Sequence, residues 1–175
     1  MGKKHYLITS ITLGLIAAGS GALIGLTNLV TKDKIIQNEK DKINAGICEI
    51  FGKTATISSE SEVSGYKYTN YIYHIGEDSI ALRTEGSNMY GRVSLLVGFK
   101  LYVGEENNPS YDEYSFTGLY VVTNEQTYAS TLVTNYLEPV NAGSKDLDDV
   151  NCGATYGAKL VRDMVNEAKE VANKL

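Results

Sequence analysis

Hydrophobic and polar positions fall into three successive regimes along this chain. From Tyr6 to Val30 the sequence YLITSITLGLIAAGSGALIGLTNLV carries no charge. As a helix these 25 residues extend about 37 Å, enough to cross the hydrocarbon core of a bilayer with some tilt. The apolar run is longer than the core of a cleavable signal, so it predicts a retained anchor; the alternative is processing after the small residues near Ala22. In TKDKIIQNEKDKINAGICEIFG, residues Ile36, Ile43, Ile47 and Ile50 recur at steps of seven, four and three. That spacing predicts an amphipathic linker helix over 31–53, with Gly52 as its C-terminal cap.

From Thr54 the period shifts to two. YKYTNYIYHI alternates, GEDS supplies a turn, and IALRTEG returns, which predicts a hairpin. RVSLLVGFKLYVG is a long apolar and β-branched run, suited to a central strand. EENNPSYDEYS is a polar loop or hairpin end, and FTGLYVVTNEQ is a further strand. Helical spacing resumes in TYASTLVTNYLEPV, with Pro139 as the expected stop. A last helix is predicted from about Tyr156 to the end, with Ala158, Val161, Val165, Ala168 and Ala172 as its apolar stripe. The whole reads as α+β: one N-terminal transmembrane helix over 1–30 with its short tail, the linker helix 31–53, and a small domain over 54–175. An antiparallel sheet with flanking helices is expected in that domain.

Charge narrows the setting. Without Lys3 and Lys4 the chain carries 14 basic residues against 21 acidic ones, a net of −7. An acidic domain repels phosphate backbones, which excludes nucleic acid as a partner. Lys3 and Lys4 before the span nearly balance Lys32 and Lys34 after it, so orientation rests on the short tail, which stays inside more easily than it crosses. The domain is therefore expected on the outer face of the cell membrane. Ser10, Gly14, Ala18, Gly21 and Gly25 share helical spacing; they form a face for another membrane helix, or reflect the usual glycine content of membrane spans.

Conventional catalytic machinery is missing from the sequence. His5 precedes the span and His74 sits in a tyrosine-rich strand, with no nucleophile motif beside either. Cys48, Cys152 and His74 have no metal-ligand spacing, and the two cysteines read better as free thiols than as a disulfide framework. No catalytic side chain and no metal are predicted. What remains is DVNCGATYGAKLV, where a threonine meets a helix start. Bare backbone at Gly153 and Ala154, with unpaired N–H groups just beyond, stabilises an anion such as a phosphate. The Thr155 hydroxyl either caps the helix or is esterified to that phosphate; residue physics alone favours the cap.

The residues add a resemblance. DVNCGAT resembles the flavinylation motif of the FMN-binding domain family: Asp149, then Cys152 at the position of a Ser or Thr, then Gly153, Ala154 and Thr155. The uncharged span running into LVTKDKIIQNEKDKI resembles the amino-terminal part of the G subunit of Rnf-type electron transport complexes. The C subunit of sodium-translocating NADH:quinone reductases is similar. MYGRVSLLVGF and GLYVVTNEQT resemble further family segments, with Glu125 the one matched residue of a Glu-Thr-Pro-Gly turn whose Pro-Gly is missing here. The resemblance implies FMN joined through its phosphate to Thr155 by a flavin transferase. It implies an attachment loop shaped by Asp149, Cys152, Gly153 and Ala154, and electrons exchanged with other membrane subunits of an ion-translocating complex. With the phosphate at the helix end, the N–H groups of Gly157 and Ala158 are its expected donors, and Tyr90, Tyr128 and Tyr156 the expected walls for the ring. Two rivals stand beside this: a stand-alone flavin carrier at the cell surface, and a structural subunit whose motif has decayed.

Overall fold

The computed structural model describes the backbone of residues 3–102 and 113–175. Most of the polar loop expected over 105–115 lies outside the described residues. The chain divides into two units, Met1–Asp41 and Lys42–Leu175.

The first unit is helical and belongs to α1, Lys3–Phe51, whose backbone shows no break where the anchor was expected to give way to a linker. Its segment from Thr9 contains a stretch long and apolar enough to cross a membrane. Leu13, Leu15, Leu23, Ile24 and Leu29 are all exposed, as side chains meant for lipid are. The hydroxyls of Ser20 and Thr27 donate to the carbonyls of Ile16 and Leu23, at 2.7 and 2.8 Å. Bonding back to the preceding turn satisfies groups that hydrocarbon could not. Ile36 also remains exposed, unlike the other three isoleucines of its series.

The second unit is built on a five-stranded antiparallel meander in the order β1-β2-β3-β4-β5. The strands are β1 Ile57–Glu62, β2 Thr69–Ile75, β3 Ser79–Asn88, β4 Gly91–Tyr102 and β5 Glu113–Asn124. The β2–β3 hairpin turns through Gly76, at φ +63°, as the GEDS segment predicts. β4 lies between β3 and β5 and buries every residue from Val93 to Phe99, which accounts for its mostly apolar run, with Ser94 the one polar side chain in it.

Alternation along the strands gives the sheet two apolar faces. One packs Ile80, Leu82, Val93, Leu95, Val97 and Phe99 with residues of the later helices. The other gathers Tyr73, Ala81, Leu96 and Val122 against Ile43 and Ile47 of α1. A Cβ on Gly98 would stand 2.4 Å from Ile50, so the end of α1 meets the sheet at a bare position. Gly52, at φ +103°, then closes α1 by donating its N–H to the Cys48 carbonyl at 3.1 Å, the cap predicted from sequence.

After β5 the chain forms a helix in three pieces: α2 Ala129–Leu132, a π-helical turn over Val133–Leu137, and α3 Glu138–Asn141. The helix ends near Pro139, as expected, although the proline itself does not stop it, since α3 runs on to Asn141. Proline at the start of α3 removes an N–H that the wider π-turn just before it has already taken out of α-helical register. The stop comes instead at Gly143, at φ +65°, whose N–H bonds the Val140 carbonyl. The final helix, α4 Thr155–Ala172, buries the predicted stripe together with Leu160, Met164 and Val171, and packs chiefly on β3.

Candidate functional site

The first turn of α4 opens into a cleft of about 330 Å³. It is lined by Tyr90, Gln126, Tyr128, Leu132 and the run from Gly153 to Gly157. Three parts of the fold build it: the β3–β4 turn, the segment after β5, and the loop into α4.

The loop is shaped by short-range polar contacts. Lys145 reaches Asp149 at 3.1 Å and the Asn151 carbonyl at 3.2 Å, while Asp149 Oδ1 accepts the Asn151 N–H at 3.4 Å. The Lys145 ammonium, then the Asn151 N–H, hold the Asp149 carboxyl below its ordinary pKa. Asn135, on the π-helical turn, donates Nδ2 to the Cys152 carbonyl at 3.0 Å. Gly153 then takes φ +83°, a conformation costly for any residue with a Cβ.

This path decides what Thr155 does. The N-cap position falls on Ala154, which has only a methyl group, and no side chain caps α4. Thr155 is the first helical residue, half-buried, and its hydroxyl forms no hydrogen bond among the described residues. The capping role that residue physics favoured is therefore not the one seen: an N-cap hydroxyl must sit one residue earlier to reach the N–H groups of the first turn. Among the described residues, those N–H groups stay open at Thr155, Tyr156 and Gly157. Ala158 is different, since its N–H donates to the Ala154 carbonyl at 3.0 Å, and its side chain is fully buried in the core. The expectation that Ala158 supplies an open donor is corrected on that ground; the open donor set ends at Gly157.

Three tyrosine rings meet at this cleft. Tyr90 lies 6.0 Å from Tyr128 and 5.5 Å from Tyr156, ring centre to ring centre, so residues remote in sequence converge on one wall. Tyr90 is held by its own backbone: its N–H donates to Asn88 Oδ1 at 2.8 Å and its carbonyl accepts the Thr127 N–H at 2.8 Å. Gly91, at φ +132°, lets the β3–β4 turn lie against Glu125, because a Cβ there would stand 2.1 Å from the Glu125 carbonyl oxygen.

The remaining motif positions stand away from the cleft. Cys152 is 8 % exposed and packs in the α4-side core, which is how a small apolar residue serves at a position where the resemblance expects a hydroxyl. It does not pair with Cys48, and both thiols are free. Glu125 faces solvent and pairs with Arg92 at 3.4 Å. Its neighbour Gln126, 7 % exposed, is the residue that enters the wall. Nothing in the sequence marked Gln126, because a lone glutamine after a strand has no spacing to detect. Asn88, which ties Gln126, Tyr90 and Tyr156 together, was equally silent.

The residues suit a flavin phosphate on chemical grounds. An uncommitted hydroxyl stands beside three open N–H groups at the positive end of an 18-residue helix, next to an aromatic wall. Gly157 keeps the cradle clear, since a Cβ there would come within 3.0 Å of Leu132 and 3.3 Å of Gln126 Oε1. Among the described residues no cluster of His, Cys, Asp and Glu could hold a metal ion.

Comparison with known families places residues 1–49 in a match to the RnfG N-terminal region. The chain thus resembles the RnfG subunit over its amino-terminal part. No curated protein matches the chain.

Proposed function

We propose that this chain, resembling RnfG over residues 1–49, is a membrane-anchored flavoprotein that carries FMN as a phosphoester on Thr155 and serves as an electron-relaying subunit of an Rnf-type complex. The observation that carries this reading is the Thr155 hydroxyl: it caps nothing, bonds nothing among the described residues, and opens on the tyrosine-walled cleft. Thr155 supplies the oxygen for the ester. The N–H groups of Thr155, Tyr156 and Gly157 hold the phosphate charge at the helix end, worth roughly 0.3–1 kcal/mol at an exposed site. Tyr90, Tyr128 and Tyr156 orient a planar ring and shield one side of it from water. The bound flavin would supply the redox chemistry, which needs no side-chain acid or base from this chain. Asp149 and Gly153 set the course of the attachment loop, and Cys152 anchors it in the core. The apolar helix holds the domain at the outer membrane surface, beside the membrane subunits with which electrons would be exchanged; a flavin transferase is the partner in maturation.

Coexpression with a flavin transferase tests the reading. The wild-type band is expected to fluoresce on a denaturing gel, with the mass of an FMN ester on the peptide spanning Thr155. Thr155→Ala should be dark. A colourless wild type, or an equally fluorescent Thr155→Ala, would end the covalent assignment.

A further inference from the structure

The inner wall of the cleft holds a polar group whose orientation is fixed by its neighbours. Gln126 is more than nine-tenths buried, and its Nε2 donates to the Gly91 carbonyl and, at 3.1 Å, to Asn88 Oδ1. Asn88 cannot be turned about, because Oδ1 also accepts the Tyr90 N–H at 2.8 Å and Nδ2 donates to the Tyr156 carbonyl at 3.1 Å. Backbone groups, which have only one polarity each, thus determine both amides. The Gln126 nitrogen is spent on the protein, and its oxygen is left beside Gly157, 3.3 Å from where a Cβ would stand. Among the described residues Oε1 accepts no hydrogen bond. The rest of the side chain is buried, so this oxygen is the part of Gln126 that stays accessible at the cleft, where a ligand donor can reach it.

We infer that Gln126 Oε1 is a preset acceptor that recognises an O–H or N–H donor of the ligand in this cleft. Resting on the flavin reading above, that donor is a ribityl hydroxyl or the ring imide N–H. Gln126 is then a specificity residue of the cleft, independent of the tether at Thr155. It favours ligands that bring a donor to this wall over those that bring only acceptors or carbon.

The test separates recognition from attachment. The full chain carrying Thr155→Ala, which cannot form the ester, is titrated with riboflavin by fluorescence, with and without Gln126→Leu. Gln126→Met, which keeps the length of the side chain, serves as a second loss variant, and thermal melting checks the fold of each. Losing one buried hydrogen bond should weaken riboflavin binding on the order of tenfold. Lumiflavin, which lacks the ribityl hydroxyls, should show no such penalty if they are the donors. If the imide is the donor, 3-methylriboflavin should show none. Equal riboflavin affinity with and without the Gln126 oxygen overturns the inference, as does the absence of measurable riboflavin binding, while a fluorescent wild-type gel band leaves the attachment reading standing. A dark wild-type band removes the ester alone, and the riboflavin titration then decides the Gln126 inference by itself. Should neither Gln126 variant fold, equal affinity of the Gln126 protein for riboflavin, lumiflavin and 3-methylriboflavin overturns it.

Discussion

At the scale of single residues, two glycines do different work at the two ends of the cleft. Gly153 is needed for its φ of +83°, with only the Thr131 methyl group nearby. Gly91 is needed for both its φ and its emptiness, since the Glu125 carbonyl fills the space a Cβ would take. Gly153→Ala is therefore expected to cost about 1–2 kcal/mol in urea denaturation, the usual penalty for a left-handed residue with a Cβ. Gly91→Ala should cost more, because backbone rather than a flexible side chain has to move. Equal losses would mean that the β3–β4 turn yields freely. Of the site, the sequence exposed the bare backbone at 153–154, the hydroxyl at 155 and the three tyrosines. It did not expose that Ala154 would take the cap position, leaving Thr155 uncommitted. That depends on the φ of Gly153 and of Ala154 itself, which tertiary contacts set.

At the scale of elements, the position of α4 depends on one carboxylate. Glu167 accepts the N–H groups of Lys67, Tyr68 and Thr69 at 2.7–2.9 Å, and the Thr69 hydroxyl at 3.1 Å, pinning the chain before β2 to the helix. Burial pushes its pKa up, but the hydrogen bonds from Tyr68, Lys67 and Thr69 outweigh it and leave it below the ordinary value. The stabilisation is accordingly complete above the usual carboxyl range, near pH 4.3, and is lost as pH falls through the depressed native value. Urea midpoints measured from about pH 6 down to 3 should fall less steeply for Glu167→Gln than for wild type. Identical slopes would contradict this role. At the outer edge of β5 another side chain takes up the backbone of one residue: Asn141 accepts the Leu119 N–H at 2.8 Å and donates to its carbonyl at 2.7 Å. The positions of β2 to β5 and of the helices were legible from their periods, whereas β1, with its polar ISSESE sequence, and the π-helical turn were not. Period-based reading has no template for one inserted residue, and it is that turn which carries Asn135 to the Cys152 carbonyl.

At the scale of the molecule, an apolar helix and a compact domain sit in one chain with different solvents to satisfy. The exposed leucines and isoleucines of the first unit are stable only if lipid covers them. The full chain is expected to stay in the membrane pellet through an alkaline carbonate wash. Recovery in the supernatant would mean that the helix does not span. The domain, by contrast, buries its own apolar stripes on both faces of the sheet and carries the acidic surface that keeps such a unit soluble.

By itself the sequence determined the long apolar N-terminal helix and the α+β order of the elements that follow it. These follow from length, period and local backbone freedom, which neighbouring residues fix. Only the tertiary structure decided that Tyr90, Tyr128 and Tyr156 share one wall, that the Thr155 hydroxyl is left without a capping bond, and that Gln126 turns its oxygen to the cleft. Each of these depends on hydrogen bonds between the β3–β4 turn, the end of β5 and the start of α4. Partners that far apart in sequence leave no periodic trace in it.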